Sequence, residues 1–244
     1  MIKVFFPAVF LLVVLSGCSA DREYTLSADL DSFYSQQPRR FEQLFSEINM
    51  DHPGLEKTKE AIQGGDYLAA AYELLDYYRK SRWSTVAANT PVPDGDSIDS
   101  ERLYRGQSNL RDTYTHQRVT GPLVRLENGL MDWQHRGPND DEQWAHYHNR
   151  HYFFRNLLLG YQVISDEAFS RYFDATVIDW IYQNPPPLQA TKTPAWDAMS
   201  AGSRMLSSWP QAFYGFNASA NFSPLARIMM LMSVTEHAEY LQQY

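Results

Sequence analysis

Residues 132–213 read DWQHRGPNDDEQWAHYHNRHYFFRNLLLGYQVISDEAFSRYFDATVIDWIYQNPPPLQATKTPAWDAMSAGSRMLSSWPQAF, and this stretch decides the fold. It holds five of the six tryptophans in patterns of helical periodicity, together with Asn149, Arg150, His151 and Arg204. Indole rings beside Asn, Arg and His side chains suit a groove that stacks and hydrogen-bonds sugars. The stretch therefore predicts helices that carry one wall of a glycan-binding groove.

Start and stop signals divide the stretch into three helices. Asp140 or Asp141 is expected to cap a helix that runs to about Ile164. Ser165 opens the next helix, which Asn184 and the three prolines after it end, and a third helix starts near Trp196 with a kink near Pro210. These predicted helices are long enough to pack as antiparallel pairs.

Helical periodicity also covers most of the chain outside this stretch. Pro38 and Pro53 each open a helix, and Asp66 is expected to cap a third over Tyr67–Lys80. A final helix starts at Pro224. Two non-helical segments are predicted as well, a surface loop over Thr85–Ser100 and a short hairpin over Arg118–Leu126.

The N-terminus MIKVFFPAVFLLVVLSGCSA has the pattern of an export signal. Lys3 precedes the apolar run Val4–Leu15, which is shorter than the roughly 20 residues of a membrane-spanning helix. The following Leu-Ser-Gly-Cys resembles a bacterial lipobox, in which Cys18 is lipidated after cleavage. Ser19, in place of an Asp, favours the outer membrane.

This pattern divides the chain into three parts. Residues 1–17 are expected to be the signal peptide, 18–37 the lipidated cysteine and a tether, and 38–244 the helical domain. Cys18 is the single cysteine, so no disulfide can form within the chain and the domain must be stable by burial of its core. The protein is expected in the cell envelope, anchored to the membrane and facing the periplasm or the cell surface.

The net charge of −8 limits the classes of ligand that the chain can bind. An acidic domain argues against nucleic acid as a ligand. It also repels acidic polysaccharide at long range, although basic side chains can override that repulsion within a Debye length of about 8–10 Å. A glycan-binding site on this chain should therefore be locally basic.

The order of the residues in 132–213 resembles the N-terminal domain of the heparinase II/III family of polysaccharide lyases. The resemblance covers roughly residues 40–244. It implies an all-α fold, an incomplete α/α toroid of antiparallel helix pairs, which the family continues with a β-rich domain that this sequence does not contain. The matching positions are Asp132-Trp133, Trp144, Asn149-Arg150-His151, Tyr161, Phe173, Trp180-Ile181, Asn184-Pro185, Trp196, Arg204 and Trp209.

The resemblance also implies β-elimination of an acidic polysaccharide that contains uronate, such as heparan sulfate, another glycosaminoglycan or alginate. A Tyr or His base removes the C5 proton, while Asn, His or Arg neutralises the adjacent carboxylate. The family's catalytic Asn, Tyr and His match no position up to Tyr244, and His237 and Tyr240 are interpreted as structural. The chain is therefore expected to be the N-terminal part of a lyase, inactive alone, without a cofactor and with a downstream lyase fragment as a possible partner.

The predicted substrate-binding residues are Asn149, Arg150, His151, Trp196 and Arg204. Asn149 and His151 are expected to contact a hydroxyl or carboxylate, with Trp196 as a stacking platform and Arg204 as a carboxylate fork. The alternative for Asn149, Arg150 and His151 is a polar network between helices, in which the hydrogen bonds of His151 are satisfied in the core.

The alternative for Arg204 is an ion pair with an acid such as Asp179. Trp180 and Trp209 lie on apolar stripes and are predicted to be core residues that support the wall.

Two other patterns in the sequence resemble catalytic or metal sites. His146, His148 and His151 have the spacing H-x-H-x-x-H, which on a helix points His146 away from His148, so no metal is expected. The consecutive acids 140–142 could form a glycosidase pair, but acids before a helix are more often caps.

Two non-enzymatic functions remain open from the sequence. One is a glycan-binding outer-membrane lipoprotein, which would bind acidic glycan without turnover. The other is a purely structural helical lipoprotein, in which replacing Asn149, His151 and Arg204 would change no ligand binding.

Overall fold

The computed structural model describes residues 29–89 and 100–243 and shows a helical domain. Apart from one two-stranded hairpin, its regular elements in this part of the chain are helices, so the all-α prediction is confirmed. The helices are α1 (Leu30–Gln36), α2 (Pro38–Ser46), α3 (Glu56–Gln63), α4 (Tyr67–Lys80), α5 (Arg82–Asn89), α6 (Ser100–Asn109), α7 (Glu142–Asn149), α8 (Phe154–Ile164), α9 (Ala168–Gln183), α10 (Ala198–Ser203), α11 (Trp209–Phe216) and α12 (Pro224–Leu241).

The hairpin consists of β1 (Thr113–His116) and β2 (Val119–Pro122), paired antiparallel with His116 opposite Val119. The predicted hairpin over Arg118–Leu126 is therefore present but begins earlier in the chain. Gln117 and Arg118 form the two-residue turn, and both have positive φ, as this tight connection requires.

Capping side chains set several helix starts as predicted. The Asp66 carboxylate accepts from the Ala69 amide at 2.9 Å, and the Asp141 carboxylate accepts from the Gln143 amide at 2.9 Å. Ser223 caps α12, whose first residue is the predicted Pro224. Each cap satisfies an amide that the helix itself leaves unpaired.

Helix pairs such as α3–α4 and α8–α9 pack side by side, and α12 contacts α9, α4 and α2. Their inner faces form one continuous aromatic core. Phe173 lies at its centre and stacks on Phe216 at 4.6 Å between ring centroids, with the Phe154 ring edge-on at 4.8 Å. In the part of the chain that the structure describes, no helix combines the length and apolarity needed to cross a membrane.

The folded domain begins before residue 38. Leu30 and Phe33 of α1 are buried, and the Phe33 ring lies 5.8 Å from that of Phe41. Assigning 18–37 wholly to a tether was therefore wrong for its last residues, because two apolar side chains of α1 reach the core. Residues 1–28, which include the predicted signal peptide and Cys18, lie outside the described residues.

Two further boundaries differ from the sequence predictions. The loop predicted over Thr85–Ser100 begins inside α5, and residues 90–99 lie outside the described part. The single helix predicted up to Ile164 is two helices, because the chain turns between α7 and α8 at His151, whose φ is +57°. Ser165 ends α8 in a left-handed conformation and does not open α9.

The predicted kink near Pro210 is a π-helical turn over Arg204–Ser208, between α10 and α11. Pro210 has no amide hydrogen to donate to the preceding turn, so regular α-helical pairing cannot continue through it. A widened turn of this kind inserts one extra residue and rotates the helix face that follows. It allows Arg204 and Trp209 both to point into the core.

Candidate functional site

The tryptophans of the stretch 132–213 lie in the core of the domain, although other residues of the stretch, such as Leu188 and Leu206, are exposed. We call these tryptophans, with the buried polar residues packed against them, the central aromatic cluster. Every one of its tryptophans is at most 4 % exposed, and Trp180 contacts the rings of Trp196 and Trp209 with centroids 5.8 and 5.7 Å away. The cluster consists of Trp133, Trp144, His148, Asn149, His151, Trp180, Trp196, Arg204, Trp209 and His237.

Asn149 is fully buried at the end of α7, and its side-chain amide is completely hydrogen-bonded. Its Nδ2 donates to the carbonyls of Trp133 at 2.8 Å and Ala145 at 2.9 Å. Its Oδ1 accepts from the Trp180 indole at 2.9 Å. The side chain therefore ties three segments together, with both N–H donors in use, and its burial keeps it from a ligand in solvent.

Arg204 is also fully buried, and its partners are neutral. Its guanidinium donates to His237 Nε2 at 2.8 Å, to the Asn149 carbonyl at 2.7 Å and to the Ala195 carbonyl at 2.6 Å. It stacks on the Trp180 ring at 4.2 Å. Burial lowers the pKa of this guanidinium to about 9, and the nearby Asp197 charge acts in the opposite direction.

His151 and His237 are buried in definite protonation states. Trp209 donates its indole N–H to His151 Nδ1 at 2.9 Å, so that nitrogen must be the acceptor. His237 Nδ1 lies 2.6 Å from the Ser233 carbonyl and must be the donor, which leaves Nε2 to accept from Arg204. Burial holds the pKa of both rings well below the usual range, and the Arg204 charge adds to that effect.

The expectation that Asn149, His151, Trp196 and Arg204 are exposed on a groove wall was wrong. All four are buried, and each has at least one polar group paired inside the core, with a backbone carbonyl or another buried side chain. The alternative of a polar network between helices is the one the structure shows, although Asp179 is not the partner of Arg204. Asp179 instead accepts from the Met131 amide and the Trp133 indole.

Arg150, the fifth predicted residue, lies at the edge of this cluster. Its guanidinium stacks on the Tyr147 ring at 4.4 Å, and its carbonyl accepts from Ser208 Oγ at 2.9 Å. Trp180 and Trp209 are core residues, as predicted, and so are His237 and Tyr240.

The three histidines of the H-x-H-x-x-H pattern go to three different partners. His146 Nδ1 bonds Asp197 at 3.0 Å, His148 Nδ1 bonds His116 at 3.1 Å, and His151 bonds Trp209. Among the described residues, no group of three or more metal-binding side chains is arranged around a common point. Of the acids before α7, Asp141 is the helix cap.

A different region has the open, polar shape of a ligand site. A cavity of about 450 Å³ lies between α6, the hairpin and the turn from α7 to α8. We call it the arginine pocket. None of the described residues that line it is acidic, and they are Arg102, Arg105, Asn109, Thr115, His116, Gln117, Tyr147, Tyr152, Phe153, Arg155 and Asn156.

The close crossing of α6 and α8 creates this pocket. At the crossing, a Cβ on Gly106 would lie 2.4 Å from the Asn156 carbonyl oxygen, so only glycine fits there. Arg102 and Arg105 are one turn apart on α6, immediately before this glycine. The crossing therefore brings both arginines beside Arg155 at the start of α8.

The pocket combines positive charge with aromatic surface. The Arg155 guanidinium lies over the Tyr152 ring at 5.0 Å, and Tyr152 donates to Ser203 at 3.0 Å. A hydrogen bond from Gln117, with the nearby Arg150 charge, lowers the pKa of the Tyr147 hydroxyl. The Gln117 amide and the nearby arginines thus favour negative charge at this surface.

His116 is the buried floor of the pocket. Burial, and secondarily the charge of Arg105, lowers the pKa of this ring to about 3, so it is neutral at physiological pH. Arg105 also pairs with Glu101 on its own helix. A partly exposed pair of this kind contributes little to stability, so Arg105 can exchange Glu101 for another anion at low cost.

This pocket was not predicted from the sequence. Arg102 and Arg105 lie in a segment without a clear periodic pattern, although their spacing of three residues on a helix was a usable signal. A continuous helix would place Arg155 on one face with Trp144 and His148, but the turn between α7 and α8 separates them. Of the predicted substrate-binding residues, Arg150 lies nearest to the arginine pocket, because the Tyr147 ring on which it stacks lines the pocket.

Comparisons with known proteins agree with this architecture. The chain is 26 % identical to the heparin-sulfate lyase of Bacteroides thetaiotaomicron over 255 residues, which cover all of this chain and 36 % of the relative. It is 31 % identical to the heparin-sulfate lyase of Bacteroides stercoris over 147 residues, 59 % of this chain and 21 % of the relative. The chain thus spans about a third of the length of the first of these relatives, and less of the second.

Solved structures show the same fold. A heparinase III structure superposes with a TM-score of 0.67 at 26 % identity, covering 82 % of this chain and 33 % of that one. The heparan sulfate lyase HepC of Pedobacter heparinus superposes with a TM-score of 0.68 at 25 % identity, covering 83 % and 32 %. The prediction of an incomplete α/α toroid is confirmed by these likenesses.

The heparinase II/III N-terminus profile matches residues 44–244, which is most of the chain. The chain therefore belongs to the heparinase II/III family, whose N-terminal helical domain it contains.

Proposed function

We propose that this chain is the glycan-binding helical part of a polysaccharide lyase that acts on a glycosaminoglycan of the heparan sulfate class by β-elimination. Family membership supports the reaction class, and relatives named heparin-sulfate lyase support the substrate class. The arginine pocket is the observation on this chain that carries the proposal. On this view the chain binds the polysaccharide and does not cleave it by itself.

The pocket explains how an acidic protein can bind an acidic polymer. Although the net charge is −8, this cavity is lined by three arginines and, among the described residues, by no carboxylate. Guanidinium groups bind carboxylates and sulfates with two parallel hydrogen bonds, which suits uronate and N-sulfate groups. Their attraction for the polymer acts at short range. Acidic residues farther away than a Debye length repel the polymer only weakly, because salt screens their charge.

The location of the protein also remains a proposal. The sequence pattern at Cys18 supports a lipid-anchored protein of the outer membrane. Lipidation would hold the domain near the surface where long extracellular polysaccharides arrive. Mass spectrometry of the protein from membrane fractions would test it, since an unmodified N-terminus would contradict the anchor.

Binding is tested with heparan sulfate by affinity electrophoresis or calorimetry. Replacing Arg102 and Arg105 together by Gln should weaken binding roughly tenfold or more, because each charged hydrogen bond contributes about 1.5 to 3 kcal/mol. Exposed Arg171 on α9 does not line the pocket, so Arg171→Gln is the matched control and should bind as the unchanged chain does. Affinity should also fall as salt is raised.

Equal binding by the double variant and the control would contradict the site.

Catalysis is followed separately by the ultraviolet absorbance of the unsaturated uronate that β-elimination forms. We expect no increase with this chain alone, and an increase would refute the claim that it is inactive by itself. Binding of sulfated glycan by a chain that never gains lyase activity with any partner would favour a glycan-binding lipoprotein instead.

A further inference from the structure

Trp83 differs from every other tryptophan of the chain. Its side chain on α5 is 63 % exposed, whereas the other five are at most 4 % exposed. The neighbouring Ser84 is buried, donates to the Tyr78 carbonyl at 2.6 Å and accepts from Asn217 at 2.7 Å. These bonds fix the first turn of α5, so the outward position of Trp83 is set by the fold.

Trp83 borders a broad open cavity of about 620 Å³ between α5, α6, α8 and α11, which we call the Trp83 groove. None of the described residues that line it is acidic. The residues that matter for its chemistry are Trp83, Val86, Arg102, Arg155, Leu158 and Tyr214.

The groove and the arginine pocket share two residues. Arg102 on α6 and Arg155 on α8 line both cavities, so the two depressions adjoin at these residues. A ligand that leaves the arginine pocket past Arg102 and Arg155 therefore enters the groove beside Trp83. The combined path changes from polar and basic to aromatic and apolar.

We propose that the Trp83 groove is a second sugar subsite, in which the Trp83 indole stacks on a sugar ring of the same acidic chain that the arginine pocket holds. This inference rests on the proposed function, because it needs an anionic glycan in the pocket. The apolar face of a pyranose packs on an aromatic ring while its hydroxyl and charged groups stay at the rim. Arg102 and Arg155 hold the charged groups between the two subsites.

Charge favours a glycan here over a second copy of this chain. The groove is lined by Trp83 and two arginines, and none of its described lining residues is a carboxylate that could pair with an arginine from another copy. A linear polyanion with alternating apolar ring faces and anionic substituents matches both features at once. Self-association through Trp83 is the competing outcome that the experiment separates.

The burial pattern supplies a spectroscopic test. Acrylamide is neutral and quenches exposed indoles, so the quenchable tryptophan fluorescence of the chain should come from Trp83. Heparan sulfate oligosaccharides long enough to reach both subsites should protect that fraction, whereas oligosaccharides confined to the arginine pocket should not. Trp83→Phe should remove the quenchable fraction and identify its source.

Affinity supplies the second measurement. Trp83→Ala should weaken binding of the long oligosaccharides roughly two- to tenfold, the range expected for loss of one aromatic stacking contact. Trp83→Phe should retain most of the affinity, and short oligosaccharides should bind all three proteins equally.

The two proposals fail in different ways. Suppose that heparan sulfate binds and that the Arg102 and Arg105 double variant binds it more weakly. If Trp83→Ala then leaves the affinity unchanged and the glycan does not protect Trp83 from acrylamide, the subsite is refuted and the arginine pocket is retained. Protection of Trp83 that rises with protein concentration in the absence of glycan would assign the groove to self-association and overturn the subsite. No binding by the unchanged chain would overturn both proposals.

Discussion

The central aromatic cluster and the arginine pocket use the same residue types for opposite purposes. Arg204 is 0 % exposed and donates to three neutral acceptors, while Arg102, Arg105 and Arg155 line an open cavity. The cluster pairs most of its polar groups internally, whereas the pocket places three arginines around an open cavity. The density of tryptophan in the sequence therefore marks the core of this domain, and the open arginine pocket lies where the hairpin and α6 meet the edge of that core.

Acid should affect the cluster most strongly. The pKa of each of its histidines is held below the usual 6.5 by burial, so only the unfolded chain takes up protons as the pH falls below about 6.5. Each group then costs at most about 1.4 kcal/mol per pH unit, so the three together cost at most about 6 kcal/mol by pH 5. The three fully buried groups are His148, His151 and His237.

This loss is comparable with the total stability of many domains, about 5 to 15 kcal/mol. Burial raises the pKa of Asp174 and Asp179. These two groups stabilise the folded state as the pH falls, so they reduce the change in the free energy of unfolding with pH. Urea unfolding at pH 7, 6 and about 5 measures the effect. A free energy of unfolding that stays constant over this range would contradict neutral, buried histidines.

Removing Arg204 should have the next largest effect. Arg204→Ala leaves His237 Nε2 and the carbonyls of Asn149 and Ala195 buried without donors, which should cost about 3 to 5 kcal/mol. Arg171→Ala on the exposed face of α9 should change stability by less than about 0.5 kcal/mol. Thermal unfolding of both variants compares them, and equal melting temperatures would show that the buried network is not stabilising.

A pair of glycines tests the helix crossing that forms the pocket. Gly106→Ala places a Cβ against the Asn156 backbone, so α6 must move from α8 at a cost of about 1 to 3 kcal/mol, and glycan binding should weaken with it. Gly202 on α10 has no neighbouring atom within 4 Å of the same position. Gly202→Ala should be neutral or stabilise by about 0.4 to 1 kcal/mol.

Both glycine variants are measured by urea unfolding and by heparan sulfate affinity. If Gly106→Ala were as stable and bound as well as Gly202→Ala, the close crossing would not be what positions Arg102 and Arg105.

The smallest effect is expected at Trp83. Trp83→Ala should change the free energy of unfolding by less than about 0.5 kcal/mol, because the side chain is mostly exposed. The same substitution at the fully buried Trp180 should cost about 3 to 5 kcal/mol. Denaturation curves for the two variants test the difference, and a large loss at Trp83 would show that this ring supports the fold.

The sequence by itself determined the helical class, several helix ends and the family. Caps such as Asp66, Asp141 and Ser223 act within a few residues, so they can be read from local sequence. Helical periodicity likewise identified Trp180 and Trp209 as core residues. The export signal and the lipidation of Cys18 remain predictions from sequence.

Only the tertiary structure decided which polar residues are buried and where a pocket opens. The burial of Asn149 and Arg204 depends on the turn at His151 and the π-helical turn before Trp209, neither of which periodicity reveals. The arginine pocket depends on a crossing of α6 and α8, which are far apart in sequence and meet at Gly106. Exposure is set by long-range packing, and a local pattern of Trp, Asn and Arg cannot distinguish a core from a groove.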